Sequence, residues 1–342
     1  MRQIALLIIL LKAGLSLDLS DLKKVGRPAV MMSCVPAAFE ILAFFLFAPH
    51  ILGITGMEAA VMGAVLGAVS PAVVVPRMVQ LIDTGYGTKK SIPQLILAGS
   101  SCDDIFVIVL FSTFVSMVQG GHASVSDFAA VPVSIILGAA LGAVTGCLLS
   151  LFFETFYRRY HYIRSSTKLI LVLGFAFLMT AVETWLKNTV ALSGLLAVVS
   201  MACILRQKSP VSVSKGLSEK FGKLWLGAEV ILFVLVGAAV DIRYTLDAGL
   251  PAVAMIFLSL LFRCLGVALC MAGTSLNPKE RLFCIIAYLP KATVQAAIGS
   301  IPLTLGLPCG KIVLSVAVLA ILITAPLGAI GMDLGYKKLL SR

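Results

Sequence analysis

Gly99-Ser100-Ser101-Cys102-Asp103-Asp104-Ile105-Phe106 places two adjacent carboxylates inside the apolar stretch 92–118, and from Ile105 to Val118 that stretch carries no further charge. If it crosses a membrane, the two acids lie where ionisable groups are expensive and mark an ion or proton path. Neighbouring residues on a helix point about 100° apart, so the pair cannot share one face. One can enter a cavity as an ion ligand while the other shares the cation or bonds a neighbouring helix. Burial and a second acid favour the protonated carboxyl, whereas a bound cation favours the ionised one. Such a group holds H⁺ or a metal ion, not both, and exchange follows from that competition.

The surrounding sequence supplies the membrane. Hydrophobic residues make up 60% of the 342 and charged ones 13%, about half the charged share of a soluble domain; mean hydropathy is +1.06. The apolar residues fall in blocks of about 18 to 25, long enough to cross roughly 30 Å of hydrocarbon as helices. Eleven spans are expected: 2–17, 28–47, 58–80, 92–118, 128–152, 167–186, 189–206, 222–240, 248–272, 281–300 and 310–332. The fold class is therefore an all-α polytopic membrane protein, a single transporter domain over 1–342. A Ser- and Lys-rich cytoplasmic linker at 207–223 is expected to join a first group of spans, 1–206, to a second, 224–342.

The net charge of +11 is a topology signal rather than a nucleic-acid surface, because the bases alternate between connections. Lys23, Lys24, Arg27, Lys89, Lys90, Arg158, Arg159, Arg164 and Lys168 fall on one side. Arg206, Lys208, Lys215, Lys220, Lys223, Lys279, Arg281, Lys337, Lys338 and Arg342 fall on the same side. Only Lys187, Arg243 and Lys311 fall on the other. Basic loops face the cytoplasm, so the expected location is the cell (inner) membrane with a cytoplasmic C-terminus. An odd count with Met1 and Arg2 abutting the first span leads us to expect a helix upstream of residue 2.

Further charges interrupt apolar runs at Glu40, Arg263 and Lys291. With the Asp pair they make three acids and two bases at depth, which invites charge pairing, although spacing alone does not assign the partners. Two spans also contain prolines where a helix would continue. Ser70-Pro71 is followed by Pro76, and Pro290 precedes Lys291. Each proline removes an amide and clashes with the preceding turn, and two within six residues fit an unwound segment facing protein or a water-filled cavity. Paired broken helices near the midplane are how many secondary transporters build ion sites. Charge, break and partner recur in spans two to four and nine to eleven, and the loop charges set the two triplets in opposite orientation. Two broken crossing helices in an inverted repeat are thus expected.

Other chemistry finds little support. The eight cysteines lie mostly in apolar blocks, no Cys-x-x-Cys occurs and the three histidines are scattered, so no structural metal is expected. No nucleotide-binding glycine motif stands at a strand-to-helix turn, and no cofactor, enzymatic activity or catalytic residue is expected. Gly138, Gly142 and Gly146, and Gly63 with Gly67, read as close helix packing. Two rival functions remain: a cation-coupled solute symporter, and a membrane sensor or structural protein without turnover.

Ile9-Leu-Leu-Lys-Ala-Gly-Leu-Ser-Leu-Asp18, Gly67-Ala-Val-Ser-Pro-Ala-Val-Val-Val-Pro76, Gly99-Ser-Ser-Cys-Asp-Asp-Ile105 and Leu289-Pro-Lys-Ala-Thr-Val-Gln-Ala-Ala297 carry a resemblance to a known family. The chain resembles the monovalent cation:proton antiporters, in the sodium/hydrogen branch with an Asp-Asp pair, from about residue 2 to residue 330. The resemblance implies exchange of Na⁺ or Li⁺ for H⁺ across the lipid bilayer by alternating access. It implies Asp104 as the principal ion- and proton-carrying carboxylate, Asp103 as its neighbour and Ser70 as part of the site. It pairs Arg263 with the Asp pair and Glu40 with Lys291. A homodimer, a mobile core, a scaffold and a helix ahead of residue 2 are also implied. Where the family often has Lys, this chain has Arg263; arginine does not shed its proton, which favours neutral one-for-one exchange.

Overall fold

A computed structural model describes residues 2–16, 26–119, 125–160, 164–186, 192, 194–239 and 242–342. Lys23, Lys24 and Lys187 of the loop pattern lie outside the described residues, as do the side chains of Arg158, Arg159, Lys215 and Arg243. The described helices are α1 (Arg2–Ser16), α2 (Arg27–Met32), α3 (Val35–Leu52), α4 (Gly56–Leu66), α5 (Pro71–Thr84), α6 (Ile92–Gln119), α7 (Val125–Tyr160) and α8 (Ser165–Leu186). They continue with α9 (Gly194–Lys208), α10 (Val211–Ala239), α11 (Ile242–Cys270), α12 (Pro278–Ala287), α13 (Thr293–Ile298), α14 (Ile301–Thr304) and α15 (Gly310–Leu339).

Helix occupies part of every expected span. Among the described residues, seven stretches are long and apolar enough to cross a bilayer: Arg27–Leu52, Gly56–Thr84, Ile92–Gln119, Ile136–Phe156, Ser166–Leu186, Gly249–Cys270 and Gly310–Leu339. Their outer faces agree with that environment. Leu148 is 60% exposed, Leu261 60% and Leu322 66%, a display of large apolar side chains that lipid, not water, accommodates.

Contacts along the chain define two units, Met1–Leu17 with Gly120–Leu235, and Asp18–Gln119 with Val236–Arg342. In the first unit α9 packs against α7, α1 and α8. Gly142 and Gly146 let α7 approach the backbone of α9 so closely that a Cβ at Gly146 would lie 2.7 Å from the Met201 carbonyl. The stretch 207–223 is mostly helical, since α10 begins at Val211. Leu217, Phe221 and Trp225, spaced by four, are all buried, which makes this stretch an amphipathic helix rather than a solvated coil.

The second unit is built on α3 packed against α11, with α4 between α3 and α6. Gly63 makes the α3–α4 approach possible: a Cβ there would lie 2.9 Å from the Ile41 Cα. Two of its helices start on a matching device. Thr55 Oγ1 accepts from the Glu58 amide at 3.3 Å while Glu58 Oε2 accepts from the Thr55 amide at 2.9 Å. Asn277 Oδ1 and Glu280 Oε2 do the same for α12, at 2.8 Å each. These are capping boxes, which satisfy amides that a helix start leaves without partners.

Both helices then stop. The backbone is non-helical over 67–70 and again over 289–292. Pro71 sits at the first turn of α5, where its missing amide costs nothing. Pro76 does not extend the gap as expected; it lies inside α5, where a single proline kinks a helix without ending it. Pro290 falls within the second gap, and its ring rests against Gly328 of α15.

Candidate ion-binding site

The second unit brings the sequence-predicted charges together. Glu40 comes from α3, Asp103 and Asp104 from α6, Arg263 from α11 and Lys291 from the gap after α12. Glu40, Asp103 and Arg263 have no exposed surface, Lys291 retains 1% and Asp104 3%. Ionised groups this deep are tolerated only when paired and hydrogen-bonded.

Arg263 is the hub. Its Nη1 donates to Glu40 Oε2 at 2.8 Å and also to the Gly67 carbonyl, Nη2 donates to Asp103 Oδ2 at 3.0 Å, and Nε donates to the Tyr288 carbonyl at 2.6 Å. Only the planar fork of arginine reaches four acceptors in this geometry. Lys291 Nζ donates to the same Glu40 Oε2 at 2.8 Å and to the Leu66 carbonyl. Glu40 is thus shared by both bases, and its Oε1 accepts from Ser259 Oγ at 3.3 Å. The Glu40–Lys291 pair and the link between Arg263 and the Asp pair are both present; the additional Arg263–Glu40 bond was not legible.

The first helix gap is held by donors from the opposite half of the sequence. Leu66, Gly67 and Ala68 end α4 with carbonyls that no helical amide reaches. Lys291, Arg263 and Gln295 cover them in that order, with Gln295 Nε2 donating to Ala68 O at 2.8 Å. Those carbonyls therefore serve the protein's own donors. The Val69 amide donates to Asp103 Oδ2 at 2.9 Å, and the Ser70 amide to the Pro290 carbonyl at 2.7 Å. The two gaps are in direct contact. The second gap leans on α15, where Thr324 Oγ1 accepts from the Lys291 amide at 2.9 Å.

Ser70 is fully buried, and its Oγ, Asp103 Oδ1 and Gln295 Oε1 have no hydrogen-bond partner within the described residues. These oxygens, with the Asp104 carboxyl, are of the hard type a small alkali cation takes. With every group ionised, Glu40, Asp103 and Asp104 outnumber Arg263 and Lys291 by one negative charge. A cavity of about 520 Å³ lined by Pro76, Arg77, Phe283, Asp333 and Tyr336 lies elsewhere in this unit, and none of the five charged site residues lines it.

Sequence reasoning found the charges and missed their supports. Tyr288, Ser259 and Thr324 sit in ordinary apolar sequence, the first and the last each two positions before a proline, and nothing local distinguishes them. Gln295 stood out only as a polar residue four positions after Lys291.

The sodium/hydrogen exchanger transmembrane family matches residues 1–332 of the chain. The chain belongs to that family. Among its relatives, human sodium/hydrogen exchanger 9B2 is 36% identical over all of this chain and 64% of its own length. Human sodium/hydrogen exchanger 9B1 is 34% identical over all of this chain and 67% of its own length. The chain thus spans about two thirds of these curated relatives. In fold it is similar to the sodium proton antiporter MjNhaP1 of Methanocaldococcus jannaschii at pH 8, with a TM-score of 0.82, 22% identity, and coverage of 100% of this chain and 85% of that one. An all-α, multi-pass membrane fold follows for this exchanger-family chain.

Proposed function

We propose that the chain exchanges Na⁺ or Li⁺ for H⁺ by alternating access, as a secondary active antiporter. The observation that carries this reading is the charge balance of the buried cluster. Three acids facing two bases leave a deficit that one monovalent cation or one proton makes good, and a low-dielectric site does not tolerate it otherwise. Asp103 is engaged by Arg263 and the Val69 amide; the family resemblance gives Asp104 as the carboxyl that carries the exchanged ion, with Asp103 and Ser70 beside it. Glu40, Arg263 and Lys291 hold the frame. Arg263 keeps its proton throughout the cycle, which favours one-for-one, electroneutral exchange.

The wider architecture belongs to the same proposal: eleven spans over residues 1–342 acting as a single transporter domain, an inverted repeat with broken helices crossing around Pro71 and Pro290, a homodimer, and a cytoplasmic C-terminus. The second unit, which contains every site residue, plays the mobile core. The test is flux in proteoliposomes, reading a pH dye after addition of NaCl, LiCl or KCl. Na⁺ and Li⁺ should collapse an imposed pH gradient, and Asp104→Asn should abolish the response. A response that survives Asp104→Asn removes that residue from the mechanism.

A further inference from the structure

We infer that Tyr288 is the positioning residue for Arg263, and that Gly99 is the notch that admits its ring. This rests on the exchange reading and adds to it the part that fixes the guanidinium.

Tyr288 caps α12 and is fully buried. Its carbonyl, one of those a helix end leaves without a partner, accepts from Arg263 Nε at 2.6 Å. Its ring lies 5.6 Å from the guanidinium carbon, within the range of cation–π attraction. A guanidinium is planar, so fixing Nε and one face fixes where the other two nitrogens point. Those nitrogens meet Glu40 and Asp103.

The far end of the ring is fitted to the helix that bears the acids. Gly99 precedes Asp103 by four residues on α6, hence on the same face. A Cβ at Gly99 would collide with Tyr288 Oη and would lie 2.9 Å from the Met32 Cβ. Tyr288 thereby ties the base to the helix carrying its acid, one turn away. Its hydroxyl has no hydrogen-bond partner within the described residues, so ring shape and carbonyl do the positioning.

The experiment compares wild type, Tyr288→Phe, Tyr288→Ala, Gly99→Ala and the double variant Gly99→Ala/Tyr288→Phe. Each is assayed in proteoliposomes for apparent Na⁺ KM and maximal rate. Each is also melted as purified protein with and without Na⁺. Tyr288→Phe should stay within about twofold of wild type, while Tyr288→Ala and Gly99→Ala raise the KM about tenfold, a mid-range coupling for residues in contact. Removing the hydroxyl clears the nearest collision and leaves the 2.9 Å approach to Met32 Cβ, so the double variant should recover part of the loss in Gly99→Ala. A double variant as impaired as Gly99→Ala, or a neutral Gly99→Ala, overturns the inference. If Gly99→Ala does not fold, recovery of a cooperative melt in the double variant decides the contact. A wild type without flux defeats the antiport reading alone, because the Na⁺-induced melting shift across the five proteins still reports on Arg263; no shift in wild type overturns the positioning role too.

Discussion

At the residue scale, what matters is that two bases share one acid. Glu40 Oε2 accepts from both Arg263 and Lys291 at 2.8 Å, so its loss leaves Lys291 without a paired acid among the described residues and Arg263 with Asp103 alone. Glu40→Gln should therefore destabilise the protein by about 3–5 kcal/mol, the usual penalty for breaking a buried pair. Thermal melting of the purified variant measures it, and a melting temperature equal to wild type would remove Glu40 from the frame. The charged members of the site were legible because a lone charge in an apolar run is conspicuous in one sequence. Their pairing was not, since Glu40 and Arg263 are separated by 223 positions and spacing says nothing about how α3 meets α11. Tyr288 was missed for a related reason: it acts through a carbonyl, which every residue has.

At the scale of elements, the helix gaps were anticipated from Ser70-Pro71 and Pro290, while their extent was decided by where proline is tolerated. Pro71 opens α5 and Pro76 lies within it, so the gap is the short stretch before the first proline. The three carbonyls exposed there are covered by side chains from α11, α13 and the second gap, an arrangement fixed by packing rather than by any local signal. Gln295→Leu should leave the Ala68 carbonyl buried and without that donor, at a cost of about 1–3 kcal/mol. A melting curve unshifted by this substitution would show that the carbonyl finds another donor. Part of the glycine reading was available in advance: Gly63 faces α3, and Gly142 and Gly146 face α9, because small residues at a spacing of four have few other uses on a membrane helix, whereas Gly67 falls in the gap after α4.

At the scale of the whole molecule, apolar block length and loop charge carried the membrane reading, and family membership over residues 1–332 agrees with it. The division into units was less accessible. Each unit combines two segments separated by about a hundred residues or more of chain, and no composition shift marks where the chain passes from one unit to the other. The proposed one-for-one exchange implies that transport moves no net charge. Flux should then be indifferent to a membrane potential clamped with K⁺ and an ionophore, and a rate that follows the clamp would require a second proton or a base that titrates. The most direct measurement is proton release on Na⁺ binding. Adding NaCl to the purified protein in weakly buffered solution should liberate one proton for each Na⁺ bound, and Asp104→Asn should abolish the release. Na⁺ binding that frees no proton, or that frees it equally in the variant, would contradict competition at this carboxyl.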